Sequence, residues 1–231
     1  MKAVILAAGE GTRLRPITYT TPKPLIKVAG KPILVRVFDQ LQGVVDEIIL
    51  IVGYKAQQIK DYFGDNFNGI KITYVIQEKQ LGTGDAMALT EYYVEGRFLV
   101  MYGDNLCHKS DIENCLKYEL SALATEVKEP EKYGVFITKD SKIINVIEKS
   151  KKPVSNLANA GVYVFNMEIF DELRNVTRSV RGEFELTDAL KSLCKRRPVY
   201  CVKVQKYWLP IGYKEELDRA DEFLKSYKEK L

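Results

Sequence analysis

The chain opens on an unbroken apolar run, Ala3-Val4-Ile5-Leu6-Ala7-Ala8, closed by Gly9-Glu10-Gly11-Thr12-Arg13. Its length and β-branched content suit a strand buried on both faces. Runs at 47–52, 71–77 and 97–102 predict three more strands. Between the first two, Lys31-Pro32 starts a helical pattern that sets Ile33, Leu34, Val37, Phe38 and Leu41 on one face, and Gly43 ends it. A short helix follows Gly53 and runs through Tyr62; another opens at Gly82-Thr83-Gly84-Asp85 and extends to about Glu91. Strands alternating with helices in this way predict an α/β fold, a mostly parallel sheet with helices on both faces. After residue 120 the pattern changes, and strands at 121–127, 134–138, 142–148 and 161–166 have fewer helices between them, which predicts an antiparallel or mixed extension. Short helices are predicted at 167–173 and 186–193. A terminal helix over 214–228 places Leu217, Ala220, Phe223, Leu224 and Tyr227 on one side. No Pro/Gly/Ser linker or internal repeat divides the chain, so the expectation is one domain over 1–231, with halves 1–120 and 121–231.

In open parallel sheets, ligands sit outside the carboxyl ends of the strands. Segments 9–13, 77–84 and 103–105 all follow predicted strands, which places them in one crevice. The glycines after the first strand let backbone N–H groups close on an anion with no Cβ in the way. Arg13 and Lys23 follow, so the first hypothesis is a polyphosphate cradle. Commoner glycine loops are excluded: Leu14 occupies the third glycine position of a dinucleotide fingerprint, and no Gly-Lys-Ser/Thr triplet occurs. From Arg15-Pro16 to Pro22-Lys23-Pro24-Leu25 the chain reads as irregular, and such segments in compact domains are usually functional. Asp104 follows a buried strand and suits either Mg²⁺ or the cap of a turn. Gln77 offers an amide donor and a carbonyl acceptor that can read a nucleobase edge. Gly82 allows close backbone approach to a flat ligand or forms a plain turn. In the second half, Glu148-Lys149 ends a strand and Asn159-Ala160-Gly161 precedes one. Such acid–base pairs are mostly surface ion pairs, although a sugar phosphate would want the lysine for its charge and the carboxylate for its hydroxyls.

Composition narrows the class. In 231 residues, 35 basic against 31 acidic side chains give a net charge of +4, too balanced for a nucleic-acid surface. Cys107, Cys115, Cys194 and Cys201 form no Cys-x-x-Cys pair, and His108 is the single histidine, so a zinc site is not composed and the cysteines read as reduced thiols. The apolar run after Lys2 is too short for a signal peptide, and no run approaches the length of a membrane span. The expectation is a cytoplasmic protein with no membrane or nucleic-acid partner.

The assembled residues resemble the sugar-1-phosphate nucleotidylyltransferase family. The resemblance rests on Leu6-Ala7-Ala8-Gly9-Glu10-Gly11-Thr12-Arg13-Leu14-Arg15-Pro16 with Pro22-Lys23-Pro24-Leu25. It extends through Gln77, Leu81-Gly82-Thr83-Gly84, Gly103-Asp104, Tyr133-Gly134-Val135, Glu148-Lys149, Asn159-Ala160-Gly161 and Glu185-Leu186-Thr187-Asp188. It implies a Rossmann-like nucleotidyltransferase fold, and Mg²⁺-dependent synthesis of a nucleotide sugar from a nucleoside triphosphate and a sugar 1-phosphate. By the family's pattern, Leu6, Ala8, Gly9, Gln77, Gly82 and Thr83 would hold base and ribose; Gly11, Thr12, Arg13 and Lys23 would hold the triphosphate. Asp104 would bind Mg²⁺, Gly134, Glu148, Asn159 and Gly161 would contact the sugar, and Lys149 its phosphate. UTP or dTTP with glucose 1-phosphate is the leading pair; a mannose-1-phosphate guanylyltransferase and a catalytically weak regulatory paralogue are the alternatives. Members with acyltransferase activity carry a C-terminal hexapeptide-repeat helix, and none is expected within 1–231. The family usually completes its metal site in a Trp-x-Asp-x-Gly pattern, where this chain has Trp208-Leu209-Pro210-Ile211-Gly212; Glu215 is a candidate substitute. The oligomeric state is left open.

Overall fold

The structure, a computed structural model, describes residues 1–227, so the Lys228 end of the expected terminal helix lies outside the described residues. In chain order the elements of the first half are β1 Lys2–Leu6, β2 Lys27–Val28, β3 Lys31–Pro32, α1 Ile33–Leu41, β4 Glu47–Val52, α2 Ala56–Phe63, β5 Asn66–Phe67, β6 Ile70–Ile76, α3 Thr83–Ala88, β7 Arg97–Tyr102, β8 Asn105–Cys107 and α4 Lys109–Cys115. The second half adds β9 Ser121–Glu126, β10 Gly134–Lys139, β11 Lys142–Glu148, β12 Leu157–Asn166, α5 Glu168–Leu173, α6 Leu186–Arg196, β13 Tyr200–Lys203, β14 Trp208–Pro210 and α7 Lys214–Ser226.

One ten-stranded sheet runs through both halves in the order β10-β11-β13-β9-β12-β7-β1-β4-β6-β5. β1 lies parallel to β4 and β7, and β4 to β6. The unbroken apolar runs arise because side chains alternate across the sheet and both faces are covered. Ala3 and Ile5 of β1, Ile48, Leu50 and Val52 of β4, and Leu99 and Met101 of β7 join the core formed with α1, α2, α4 and α7. The intervening Val4, Ile49, Ile51, Phe98 and Val100 join the core formed with α3, α5 and α6. The second half then enters through β12, which pairs antiparallel with β7 on one side and β9 on the other.

Several boundaries differ from the sequence reading. The helix expected from Lys31 begins at Ile33, because Lys31 and Pro32 pair with Lys27 and Val28. The segment expected to be irregular is three short 3-10 turns, Thr12–Leu14, Ile17–Tyr19 and Lys23–Leu25. The strand expected to begin at Gly161 begins at Leu157, so Asn159-Ala160-Gly161 lies inside β12 rather than ahead of it. A glycine inside a strand often marks a bulge, and the register of the β12–β9 ladder does shift between Asn159 and Tyr163. β8, α4, β13 and β14 were not expected. α4 carries only Ile112 and Cys115 as apolar contacts, and the strands are at most four residues long.

All four cysteines are free, and burial pushes the Cys201 thiol up to about 11 and Cys194 to about 12, which leaves them unreactive at neutral pH. Among the described residues no helix is long and apolar enough to cross a membrane.

Gly161 is a crowded point where β12 meets β7 and β8. Its φ is +72°, and a Cβ there would lie 2.5 Å from Asn105 Nδ2 and 2.6 Å from the Tyr102 ring. Gly161→Ala is expected to destabilise the protein by about 2–4 kcal/mol through left-handed strain and overpacking. Urea denaturation checks this, and an unchanged midpoint would contradict the stated crowding.

Candidate functional site

The carboxyl ends of β1, β6 and β7 and the facing ends of β10, β11 and β12 enclose a cleft of about 860 Å³. The glycine loop forms one wall. The backbone N–H groups of Gly9, Glu10 and Gly11 donate to no described residue, which leaves them available to an anion. Gly11 sits at φ +65°, and a Cβ there would meet Lys23 Cβ at 3.1 Å, so the glycine lets the Lys23 stem lie against the loop. Thr18, buried, donates its hydroxyl to the Gly11 carbonyl at 3.0 Å and fixes the loop from behind. Lys23 Nζ reaches Asp104 Oδ2 at 2.5 Å. The Arg13 guanidinium lies over the Tyr213 ring, 4.6 Å from its centroid.

At the β6 end, Gln77 is 4% exposed. Its Nε2 donates to the Gly82 carbonyl at 3.1 Å and to Asp85 Oδ2 at 2.8 Å. Gly82 lines the cleft, its φ is +120°, and a Cβ there would run into the Phe184 carbonyl oxygen. Two bonds fasten this crossing of the two halves, Phe184 N–H to Leu81 O and Gly84 N–H to Phe184 O, both 2.8 Å. Thr83 Oγ1 accepts from Leu186 N–H at 3.0 Å, tying α3 to the start of α6.

The opposite end is built on Glu148 and Lys149. Gly134 has no Cβ because Glu148 Oε2 would be 2.6 Å from it. The Glu148 carboxylate accepts from Thr187 Oγ1 at 3.0 Å and is flanked by Arg181 at 3.4 Å and Lys149 at 3.7 Å. Burial raises the Glu148 pKa above its usual 4.5; Lys149 and Arg181 oppose that shift and Glu185 adds to it. Asn159 also lines the cleft, but its amide is engaged internally, donating to Tyr163 Oη at 2.6 Å and accepting from Gly161 N–H at 3.0 Å. Tyr163 Oη donates in turn to Tyr102 Oη at 3.1 Å, and burial pushes both phenols well above their usual range, so this relay is uncharged.

The cleft therefore gathers Leu6, Ala8, Gly9, Gly11, Thr12, Arg13, Lys23, Gln77, Gly82, Thr83, Asp104, Gly134, Glu148, Lys149 and Asn159 along its walls. Gly161 is left out of the lining, behind Tyr102 and Asn105.

The family model described as nucleotidyl transferase matches residues 2–226. The chain belongs to the nucleotidyl transferase family. Over 216 residues it is 46% identical to the bifunctional protein GlmU of Methanococcus maripaludis, covering 92% of this chain and 52% of that protein. It thus spans about half the length of that protein and of the other GlmU relatives it matches. A relative of similar length is the UTP–glucose-1-phosphate uridylyltransferase AglF of Haloferax volcanii, 37% identical over 97% of this chain and 96% of its own. Among solved structures, a provisionally assigned glucose-1-phosphate thymidylyltransferase from Bacillus anthracis superposes with a TM-score of 0.90 at 29% identity, covering 100% and 98% of the two chains. A UDP-glucose pyrophosphorylase complexed with UDP-glucose gives 0.89 at 25% identity, covering 98% and 99%. The fold is the Rossmann-like one that the resemblance implied.

The sequence reading passed over Arg181, which donates to Glu185 Oε1 at 2.6 Å and puts a second cation beside Lys149 in the cleft. Its setting, Arg181-Gly182-Glu183-Phe184-Glu185, resembles a solvated charge run; an arginine two residues before Glu183 and four before Glu185, just ahead of a helix, was the available signal. Near Asp104, the Pro210 position does lie alongside: Pro210 pairs with Asn105 in the β14–β8 ladder, and Ile211 N–H donates to Asp104 O at 3.0 Å. Glu215, offered as a substitute ligand, is exposed and outside the cleft. The helix turn brings Glu216 in instead. Its Oε2 accepts from Gly212 N–H at 2.7 Å and Tyr213 N–H at 3.1 Å, and its Oε1 from Tyr133 Oη at 2.9 Å, so it serves as a helix cap. Trp208 donates its indole N–H to Ala160 O at 3.0 Å. Among the described residues, no three His, Cys, Asp or Glu side chains gather as a metal cage.

Because the folded Glu148 pKa lies above 4.5, its contribution to stability declines as pH rises from 4.5 through the folded value. Glu148→Gln removes that decline. The stability of the variant relative to the parent is expected to grow with pH across this window, measured by urea denaturation at a series of pH values. Parallel pH curves for the two proteins would contradict it.

Proposed function

We propose that this chain is a Mg²⁺-dependent sugar-1-phosphate nucleotidylyltransferase that forms a nucleotide sugar and pyrophosphate from UTP or dTTP and a sugar 1-phosphate, with glucose 1-phosphate as the leading acceptor. One observation carries the reading: a single cleft holds a glycine loop with Arg13 and Lys23 at one wall and Lys149 with Arg181 at the other. That arrangement suits two phosphorylated substrates meeting between two cationic walls. The Haloferax relative, a UTP–glucose-1-phosphate uridylyltransferase, supports the same choice of substrates. The unit doing this would be 1–231, with 1–120 holding the nucleotide and 121–231 the sugar phosphate; the sheet shared by both halves supports it.

In the reaction, an oxygen of the sugar phosphate attacks the α-phosphorus in line as the bond to pyrophosphate breaks. That oxygen is already ionised, so no general base is needed, in keeping with a cleft lined by neither histidine nor cysteine. Arg13, Lys23 and the loop N–H groups neutralise charge gathering on the leaving pyrophosphate. Lys149 and Arg181 hold the sugar phosphate for attack, and Glu148, on its Gly134 floor, accepts from sugar hydroxyls. For the metal, Asp104 is 36% exposed at its side chain, and its Oδ1 accepts from no described residue. One carboxylate with phosphate oxygens is an ordinary Mg²⁺ donor set, so Asp104 fits the ion despite Pro210. When bound, Mg²⁺ would supply further neutralisation of phosphate charge. At the base, the Gln77 carbonyl is the group left unpaired, and an acceptor there suits the N3–H of uracil or thymine. The N1–H of guanine offers the same donor, which keeps mannose-1-phosphate guanylyltransferase as the second reading.

A pyrophosphate-release assay over the five common nucleoside triphosphates and several sugar 1-phosphates, with Mg²⁺, tests the assignment. UTP or dTTP with glucose 1-phosphate is expected to lead, and release from no pairing would favour the non-catalytic reading. Arg13→Ala is expected to lose about 2–4 kcal/mol of transition-state stabilisation, about 30- to 1,000-fold in kcat/KM. Arg181→Ala is expected to raise the KM for the sugar phosphate while leaving that for the nucleotide nearly unchanged. Initial-rate kinetics check both.

A further inference from the structure

Resting on the uracil or thymine reading above, we propose that Asp85 sets the base selectivity of the cleft by fixing which end of the Gln77 amide faces the nucleotide. A primary amide has two donors on one side and an acceptor on the other, and the two ends are nearly the same size, so rotation by 180° exchanges what it offers at little steric cost. Gln77 is held against that rotation by two partners that can only accept. Nε2 donates to Asp85 Oδ2 at 2.8 Å and to the Gly82 carbonyl at 3.1 Å. A flipped amide would set its oxygen against a carboxylate and a carbonyl, two repulsive contacts in a site only 4% exposed.

The Gly82 carbonyl alone is a neutral partner at the longer distance; the charged one is Asp85. Gly82 is fixed by the Phe184 crossing, so its carbonyl offers no adjustment. Meanwhile Gln77 Oε1 accepts from no described residue, and among the described residues the only sealed, unpartnered side-chain atom is Gln42 Nε2, so Oε1 is open to the cleft. Asp85 itself is absent from the cleft lining. It touches no substrate and is a positioning residue: a carboxylate on the first turn of α3 that turns an ambiguous amide into a pure acceptor at the base. An acceptor there rejects cytosine, whose N3 is also an acceptor, because the pair would bury two lone pairs face to face.

Asp85→Asn tests this with almost no change of shape. The asparagine can donate to Gln77 Oε1, which releases the flipped amide and presents its N–H groups to the base. The ratio of kcat/KM for UTP over CTP is expected to fall about tenfold or more, with the KM for the sugar phosphate unchanged. Asp85→Glu, which keeps an acceptor only, is expected to retain the UTP preference. In a Gln77→Ala background, Asp85→Asn is expected to change the ratio no further, an outcome that a general packing role would not produce. Calorimetric Kd values for UTP and CTP in parent and variants give the same ratio without turnover. They therefore decide the inference even if the parent proves inactive and the proposed reaction fails. An unchanged UTP/CTP ratio in folded Asp85→Asn, or an equal shift in the Gln77→Ala background, overturns it; if Asp85→Asn does not fold, loss of the UTP preference in Asp85→Glu does so.

Discussion

The antiparallel pairing of β12 with β7 is the contact on which the rest of the architecture depends. Val162 opposite Met101 and Phe165 opposite Phe98 join two halves into one sheet, and both halves contribute to the core on each of its faces. Because β12 runs against β7, its beginning lies at the same edge as the ends of β1, β6 and β7. That brings Asn159 and Tyr163 beside Tyr102, and Gly161 beneath the start of β8. A parallel strand at this position would have sent those residues to the far edge. The cleft is thus a product of strand direction as much as of loop sequence, with the glycine loop supplied by one half and Glu148, Lys149 and Arg181 by the other.

The parts of this arrangement that were legible beforehand are those with a strong burial signal. β1, β4, β6 and β7 lie inside the sheet under helices, so their apolar runs could be recognised without knowing their neighbours. The amphipathic face of α1 was legible for the same reason. β8, β13 and β14 depend on partners far along the chain, and three or four residues carry too little pattern to announce a strand. β12 was half hidden because Asn159 and Gly161, turn residues by composition, are accommodated in a strand by a register shift and a left-handed glycine.

The site shows the same division. Groups anchored to strand ends, such as Gln77, Asp104 and Glu148, follow directly from the strand assignments. Arg181 does not, because its position is set by Glu185 and Glu148, acids that sequence spacing alone cannot bring together. Glu215 and Glu216 differ by one helical step of 100°, and the docking of α7 through Leu217 and Ala220 decides which of them enters the cleft. Gly82 shows the opposite limit: its glycine was visible, but the reason for it, the Phe184 backbone, comes from 102 residues further along the chain.

The cations of the cleft are engaged before any substrate arrives. Lys23 rests on Asp104, Arg181 on Glu185, Lys149 beside Glu148, and Arg13 on the Tyr213 ring. A phosphate entering this cleft exchanges one set of partners for another instead of stripping mobile ions from bare positive charge. Such ion exchange within the protein releases few bulk counterions, so affinity for a polyanion falls only shallowly with added salt. It also leaves a lone orthophosphate ion little to gain from displacing a carboxylate already in place. Only a ligand that engages several of these cations at once is repaid for breaking the pairs.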